Sequence, residues 1–168
     1  MDFIHIQIAA LRQLKKGQRP ICIGYQDGQY GLSLENCKLH FIPEEQFFLD
    51  GQKITGEKGF VNMDYLLKEA EKTVPVIRTN QRIVVEPKPT DKRKAPETAA
   101  VFQNGAVQMY VNAAFLSAFP DTVQYRSLPE KAISPVYIYE NNLLLGLILP
   151  YRPGVFANKK EEINHESN

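Results

Sequence analysis

Short segments that alternate apolar and polar residues, separated by tight-turn residues, constrain this chain more than any other feature of its sequence. Asp27-Gly28 separates two such segments, residues 21–25 and 30–34. Asp-Gly supplies the positive backbone φ that a two-residue hairpin turn needs. Two later turns are flanked in the same way: Asn104-Gly105, between 99–102 and 106–111, and residues 140–142, between 133–139 and 143–149. The sequence therefore predicts antiparallel sheet built from local hairpins.

Other strands are expected between these hairpins. Residues 37–42 alternate and predict a third strand after the first hairpin, ended by Pro43 because proline cannot donate to a strand ladder. Residues 74–77 and 82–85 are apolar segments on either side of Thr79-Asn80-Gln81, a pattern that predicts one more hairpin. A short strand is expected at 123–125.

Three helices are expected among these strands. Residues 3–7 alternate and predict a strand, which continues into a helix over 8–16 that Gly17 ends. Two further helices are predicted after asparagines that can cap them: 63–72 after Asn62, and 113–119 after Asn112. Few helices among many short antiparallel strands indicate an α+β protein.

Composition limits the classes of partner. The chain has 168 residues, 43% hydrophobic and 23% charged, which is typical of one globular domain. Its formal net charge of +1 creates no global field for polyanions, so any contact with nucleic acid requires a local basic patch. No apolar segment reaches the length of a membrane span, and the start has no basic and apolar segments of a secretory signal. Cys22 and Cys37 are too few for a disulfide framework, and a cytoplasmic location is expected.

The candidate DNA-binding residues are four cations near the end of the first predicted helix. Arg12, Lys15, Lys16 and Arg19 are spaced by three or four residues, so they lie on one helical sector that can follow phosphates. The alternative is a solvated helix end whose cations are favoured by the helix dipole. A second basic segment, around Lys92-Arg93-Lys94 in the proline-rich loop 86–98, is either a phosphate-contacting loop or an ordinary exposed loop.

The candidate partner-binding residues are Phe47, Phe48 and Leu49. Three consecutive apolar side chains on an extended loop cannot all point inward, so part of this segment is expected to form a partner-binding patch or a dimer seam. The alternative is a loop anchor that folds over the core.

No motif for catalysis or metal binding stands out. His5, His40 and His165 have no Cys, Asp or His at ligand spacing, and no Ser or Cys has the context of a nucleophile. The glycines at 24, 28 and 31 lie inside a hairpin, not between a strand and a helix, so turn chemistry explains them. We therefore expect a protein that is not an enzyme and holds no metal or cofactor.

The two ends of the chain share one order of elements. Residues 1–43 predict a strand, a helix and a meander that ends at Ile42-Pro43, and residues 106–152 predict the same order ending at Leu149-Pro150. Each unit has too few apolar residues to close a core alone. The sequence therefore predicts a single domain over 1–152, in which two units joined by residues 44–105 form a continuous antiparallel sheet with two short helices on one face, followed by a polar tail at 153–168.

This plan resembles the repeating domain of DNA sliding clamps. Residues 1–14, MDFIHIQIAALRQL, look like the strand and helix that open a clamp domain, and residues 34–42, LENCKLHFI, resemble a strand-turn-strand of the clamp. Residues 135–152, PVYIYENNLLLGLILPYR, are similar to the closing hairpin of bacterial clamps. The resemblance implies a clamp-like fold whose helices face DNA and whose edge strands pair between subunits.

The chain also departs from the clamp pattern. Bacterial clamp chains carry three such domains, whereas this length suffices for one, so a ring would need more subunits. The helix predicted at 113–119 carries no charge, so only the first helix has the cations of a DNA-facing surface.

The function expected from these features is a non-enzymatic, clamp-like DNA-associated assembly or processivity module in replication or in the DNA metabolism of a mobile element. Subunits are expected to pair through edge strands at 136–139 or 82–85, giving a homo-oligomer. The alternative is a small phage-type interaction protein that binds a host protein and does not touch DNA.

Overall fold

The computed structural model describes residues 1–17, 22–35, 38–49, 62–86 and 95–152. Over these residues the chain forms ten strands in two antiparallel sheets, together with three α-helices and a single turn of 3-10 helix. The predicted α+β class is confirmed. Arg19, Cys37, the basic part of the proline-rich loop and the predicted tail lie outside the described residues.

The first meander has the predicted hairpin at its start. It consists of β1 (Cys22–Gln26), β2 (Gln29–Glu35) and β3 (Lys38–Pro43), each antiparallel to the next. Asp27 and Gly28 have φ values of 50° and 75°, the two positive angles of a type I′ turn. The turn chemistry of the sequence therefore determines this hairpin.

A second meander lies near the C-terminal end. It consists of β8 (Gln124–Ser127), β9 (Val136–Glu140) and β10 (Leu143–Ile148). Asn141 and Asn142 form its predicted tight turn with φ values of 50° and 66°.

The two meanders join through their last strands. β10 pairs antiparallel with β3, and the large sheet has the order β1-β2-β3-β10-β9-β8, with β4 (Val74–Pro75) added beside β8. β9 therefore lies between β10 and β8. The prediction that residues 136–139 form an edge strand is wrong, because both sides of that segment are occupied within the sheet.

The smaller sheet contains β5 (Ile77–Val85), β6 (Glu97–Asn104) and β7 (Val107–Asn112), in that order. The predicted hairpin over 74–85 is wrong. Residues 74–75 pair with β8 in the large sheet, and residues 79–81 form a bulge inside β5 rather than a turn. Two apolar segments on either side of three polar residues are compatible with a turn and with a bulge. The pairing of the segments with β8 and β6 shows that the polar residues form a bulge.

The predicted hairpin between β6 and β7 is confirmed, but its turn is displaced by one residue. Asn104 is the last residue of β6, opposite Val107, and the turn is Gly105-Ala106. Of these two turn residues only Gly105 has a positive φ, 60°. The Asn104 side chain is buried and donates to the carbonyl oxygen of Leu128 at 2.8 Å, which holds Asn104 in the strand.

The helices are α1 (Phe3–Lys15), α2 (Met63–Glu71) and α3 (Ala113–Leu116). The asparagine caps predicted for α2 and α3 are confirmed, although α3 is only one turn long. The predicted strand at 3–7 is wrong, because these residues are the start of α1. An Asp2 carboxylate oxygen accepts from the backbone N–H of His5 at 3.0 Å and begins the helix there.

Two apolar clusters cover opposite faces of the large sheet. The larger lies between the two sheets and includes Ile138 of β9 and Phe102 of β6, together with side chains of α1 and α3. The smaller cluster contains Tyr137, the residue before Ile138, together with Met63 and Ala70 of α2. Successive strand residues point to opposite faces, so α1 and α3 share one face of the sheet and α2 covers the other.

Candidate functional site

The end of α1 presents three of the four predicted cations. Phe3, Gln7 and Ala10 form the buried face of α1, and Arg12, Lys15 and Lys16 are all exposed. Residues three and four positions apart are neighbours on a helix, so these three cations form one patch, the α1 basic end. None of the three forms an ion pair with any residue that the structure describes. Arg19, the fourth candidate, lies outside the described residues.

Gln7 fastens the loop that follows β3 to α1. Its side chain is fully buried, and Nε2 donates to the carbonyl oxygen of Phe3 at 3.1 Å and to that of Gln46 at 2.9 Å. Its Oε1 accepts from the backbone N–H of Phe48 at 2.8 Å. A single side chain thus satisfies two backbone groups of the loop on either side of Phe47. Nothing in the spacing of α1 marks Gln7, because its partners are 39 and 41 residues away in the chain.

The structure divides the predicted Phe47-Phe48-Leu49 segment. Leu49 is buried in the larger apolar cluster, and Phe47 is partly buried, with its ring stacked on Tyr30 at a centroid distance of 3.8 Å. Phe48 is 53% exposed. Phe47 and Leu49 therefore act as the loop anchor, and Phe48 is the part of the segment that a partner can reach.

Phe48 is not the sole apolar side chain exposed near Gln7. Ile4 and Leu11, three residues before and four after Gln7, lie along the same side of α1 and are 60% and 44% exposed. We call Ile4, Leu11 and Phe48 the α1 apolar patch. Ile4 was not predicted from the sequence as part of a helix surface, because the strand expected at 3–7 placed it on a sheet. Leu11 lies in the helix that was predicted over 8–16.

The two histidines in the described part of the chain, His40 and His5, contact other residues of the fold. His40 is 1% exposed and stacks on Phe119 at a centroid distance of 5.1 Å. Burial, reinforced by the positive charge of Lys38, lowers the pKa of His40 to about 3, so its ring is neutral at pH 7. His5 lies at the start of α1, where its Nδ1 is 2.5 Å from a carboxylate oxygen of Asp2. Hydrogen bonds from His5 lower the pKa of Asp2.

The described residues were compared with the requirements of a metal site and of a membrane-spanning helix. They contain no group of three or more His, Cys, Asp or Glu side chains placed to hold a metal ion. None of their helices combines the length and the apolar character needed to cross a bilayer.

Comparison of the whole chain with protein-family models, with curated proteins and with solved structures finds no match.

Proposed function

We propose that this protein is a non-enzymatic, clamp-like module that contacts DNA through the α1 basic end and assembles with other copies of itself. Its setting would be cytoplasmic DNA replication or the DNA metabolism of a mobile element. The observation that carries the proposal is the exposure of Arg12, Lys15 and Lys16 without an ion-pair partner among the described residues. Cations without a carboxylate partner are available to phosphates.

The topology of the large sheet supports the clamp-like part of the proposal. The two meanders meet at β3 and β10, and a helix precedes each of them in the chain, α1 before β1 and α3 before β8. This order is that of the sliding-clamp resemblance, with two differences: residues 3–7 are helical instead of forming a strand, and β7, the strand before α3, belongs to the smaller sheet. Buried side chains of α1 and α3 pack in the same apolar cluster, on one face of the large sheet.

We propose that assembly uses an edge strand. In the described part of the smaller sheet, β5 stands at one end of the strand order, and it contains residues 82–85, one of the two segments predicted to pair between subunits. Pairing through a strand edge would explain how a chain of single-domain length builds a larger assembly.

The proposal predicts a steep dependence of DNA binding on salt. Three phosphate contacts give a slope of about −2.7 in log K against log salt, or about a 40-fold loss of affinity between 50 and 200 mM salt. The first measurement is the solution mass by light scattering, with and without duplex DNA, at both salt concentrations. A higher oligomer that keeps circular DNA but loses linear DNA as salt rises would support a clamp. A monomer or dimer whose solution mass does not change when duplex DNA is added would rule out a clamp.

A matched pair of variants isolates the α1 basic end. Lys15→Gln with Lys16→Gln removes two of its cations, whereas Lys68→Gln with Lys72→Gln removes two cations of α2 that are paired with Asp64 and Glu69. Both double variants lower the net charge by two. We expect the first pair to weaken duplex binding by about tenfold at low salt and the second to have little effect. Equal losses would mean that net charge, not α1, governs binding.

The α1 apolar patch favours a second candidate function, a small phage-type interaction protein that binds a host protein. Phe48 is held outward while its neighbours are used in packing, and exposed aromatic side chains are common anchors of protein interfaces. Phe48→Ala would abolish complex formation with such a host protein and leave any DNA binding unchanged. Loss of DNA binding in Phe48→Ala at unchanged stability would contradict this division of roles.

A further inference from the structure

The bulge in β5 places two arginines side by side at the edge of the smaller sheet. Arg78 pairs with Phe102 and Arg82 pairs with Ala100, so three residues of β5 stand opposite one residue of β6. Phe102 and Ala100 are two positions apart on β6, which places the Cα atoms of the two arginines about 7 Å apart at ~3.4 Å per residue.

A cleft of about 250 Å³ lies between these arginines. Five of the six residues that line it are polar or charged, and the sixth is alanine: Arg78, Thr79, Asn80, Gln81, Arg82 and Ala100. Both arginines are exposed, and neither forms an ion pair or a side-chain hydrogen bond with another described residue.

The nearest acidic residue of the neighbouring strand is engaged elsewhere. Glu97, at the start of β6, accepts from the hydroxyl group of Tyr151 at 2.5 Å and from the side-chain amide of Asn112 at 3.0 Å. In the ladder Glu97 lies opposite Val85, three positions beyond Arg82. The two guanidinium groups therefore have no counter-charge from this strand.

Two like charges that line one cleft repel each other, and an oxyanion between them offsets the repulsion. Guanidinium groups present planar donor pairs that match the oxygens of phosphate, and charge-assisted bonds of this kind are the strong ones. The cleft is near the lower end of the roughly 300–1,000 Å³ typical of pockets for whole organic ligands. It has room for a phosphate group, and its donors suit one.

We propose that the β5 bulge is a phosphate-binding site in which Arg78 and Arg82 hold one phosphate group from two sides. The group can belong to a nucleic-acid backbone or to a free phosphate or nucleotide. In the first case the site adds a contact to the DNA interface, and that part rests on the proposed function. In the second case the site is independent of the α1 basic end.

Thr79 is the positioning residue of this site. Its hydroxyl group donates to the carbonyl oxygen of Val101 at 3.2 Å and accepts from the backbone N–H of Gln81 at 3.2 Å. These bonds close the bulge and hold the arginines opposite their β6 partners. Thr79→Val keeps the shape and loses both bonds, whereas Thr79→Ser keeps them. We expect phosphate affinity to fall several-fold in Thr79→Val and to return in Thr79→Ser. Equal affinities in the two variants would remove Thr79 from the site.

The direct test uses the full chain and inorganic phosphate. Phosphate replaces chloride at constant ionic strength, and the backbone amide signals of Asn80 and Gln81 are followed by NMR. We expect saturable shifts in the wild type and at least a tenfold weaker affinity in Arg78→Gln with Arg82→Gln. The control, Lys131→Gln with Arg152→Gln, removes two other exposed cations and should bind as the wild type does. Absence of saturable shifts in the wild type would overturn the proposal.

Duplex DNA and a nucleoside monophosphate distinguish the two sources of phosphate. If the backbone is bound, the double arginine variant lowers the salt slope of duplex binding by about 0.9 for each phosphate that is no longer neutralised. If a free phosphate group is bound, the monophosphate shifts the same signals and duplex affinity is unchanged by the variant. If Lys15→Gln with Lys16→Gln does not weaken duplex binding but the Asn80 signal still responds to phosphate, the proposed function alone is rejected. If that variant weakens duplex binding but the Asn80 signal does not respond to phosphate, the phosphate site alone is rejected.

Discussion

β10 and β5 show how position in a sheet decides what a strand can do. β10 lies in the middle of the large sheet, and five of its six residues are buried. β5 is longer, nine residues, but it stands at the end of the described strands of the smaller sheet, and Val85 is its only buried residue. A strand covered on both faces contributes apolar burial, whereas an edge strand can carry cations and a bulge. Stability should therefore depend on the central strands, and binding on the edge.

The largest expected contrast is between two isoleucines. Ile138 of β9 is 0% exposed, and Ile77 of β5 is 71% exposed. Ile138→Ala removes buried methyl groups and leaves a cavity, so we expect a loss of about 4 kcal/mol in the free energy of unfolding. Ile77→Ala should change it by less than about 0.5 kcal/mol. Urea denaturation measures both, and similar losses would mean that the edge strand is buried in an assembly.

Gly146→Ala tests how closely the two meanders approach. A Cβ atom at Gly146 would lie 2.4 Å from the carbonyl oxygen of Leu39 on β3 and 2.9 Å from the Phe119 ring. Because backbone cannot move aside as a flexible side chain can, we expect a loss of about 3 kcal/mol, at the upper end for overpacked cores. Thermal and urea unfolding report it. A loss below about 1 kcal/mol, the lower end for such cores, would show that β3 and β10 separate easily.

His40 on β3 gives the central sheet a pH dependence. Its pKa is about 3 in the folded chain against 6.5 for an unperturbed histidine, so the unfolded chain binds the extra proton between these values. The contribution of His40 to the free energy of unfolding is therefore fully present above the unfolded-state pKa of 6.5. It decreases as the pH falls, by about 2 kcal/mol between pH 7 and pH 5. His40→Leu should reduce this dependence. The same slope in His40→Leu would assign it to other groups.

Gln7→Met tests the attachment of the loop that presents Phe48. Methionine has a similar volume but leaves the carbonyl of Gln46 and the N–H of Phe48 without their partner. We expect a loss of about 1.5 kcal/mol and faster amide exchange at Phe48. The control is Gln124→Met, at an exposed position of β8. Unchanged exchange at Phe48 would show that the Phe47 ring alone holds the loop.

Local features of the fold were predictable from the sequence. The β1–β2 and β9–β10 hairpins and the caps of α2 and α3 depend on residues within a few positions of one another, so their chemistry is visible in the sequence. Asn104 shows the limit of this reasoning. The dipeptide Asn104-Gly105 favours a turn of its own, but a hydrogen bond to Leu128, 24 residues away, places Asn104 in the strand. The strand predicted at 3–7 failed because alternation over five residues also fits one turn and a half of a helix.

The candidate site was predictable only in part. The α1 basic end followed from spacing alone, since three- and four-residue intervals make helical neighbours. Arg78 and Arg82 have the same four-residue interval but lie on a strand, where four residues span about 14 Å at ~3.4 Å per residue. Only the bulge brings them opposite two β6 residues that are two positions apart, Phe102 and Ala100. Phe47, Phe48 and Leu49 are chemically alike, and the sequence does not tell which of them is exposed.

The sequence by itself determined the α+β class, two of the tight hairpin turns, the caps of α2 and α3 and the helical spacing of Arg12, Lys15 and Lys16. Only the tertiary structure decided that β3 pairs with β10, that β9 is interior while β5 ends the order of the described strands in the smaller sheet, and that Gln7 bonds the backbone at Phe48. The physical reason is the range of the interactions. Turn and cap bonds join neighbours in the chain, whereas strand order and burial depend on apolar contacts and hydrogen bonds between residues that are far apart in sequence.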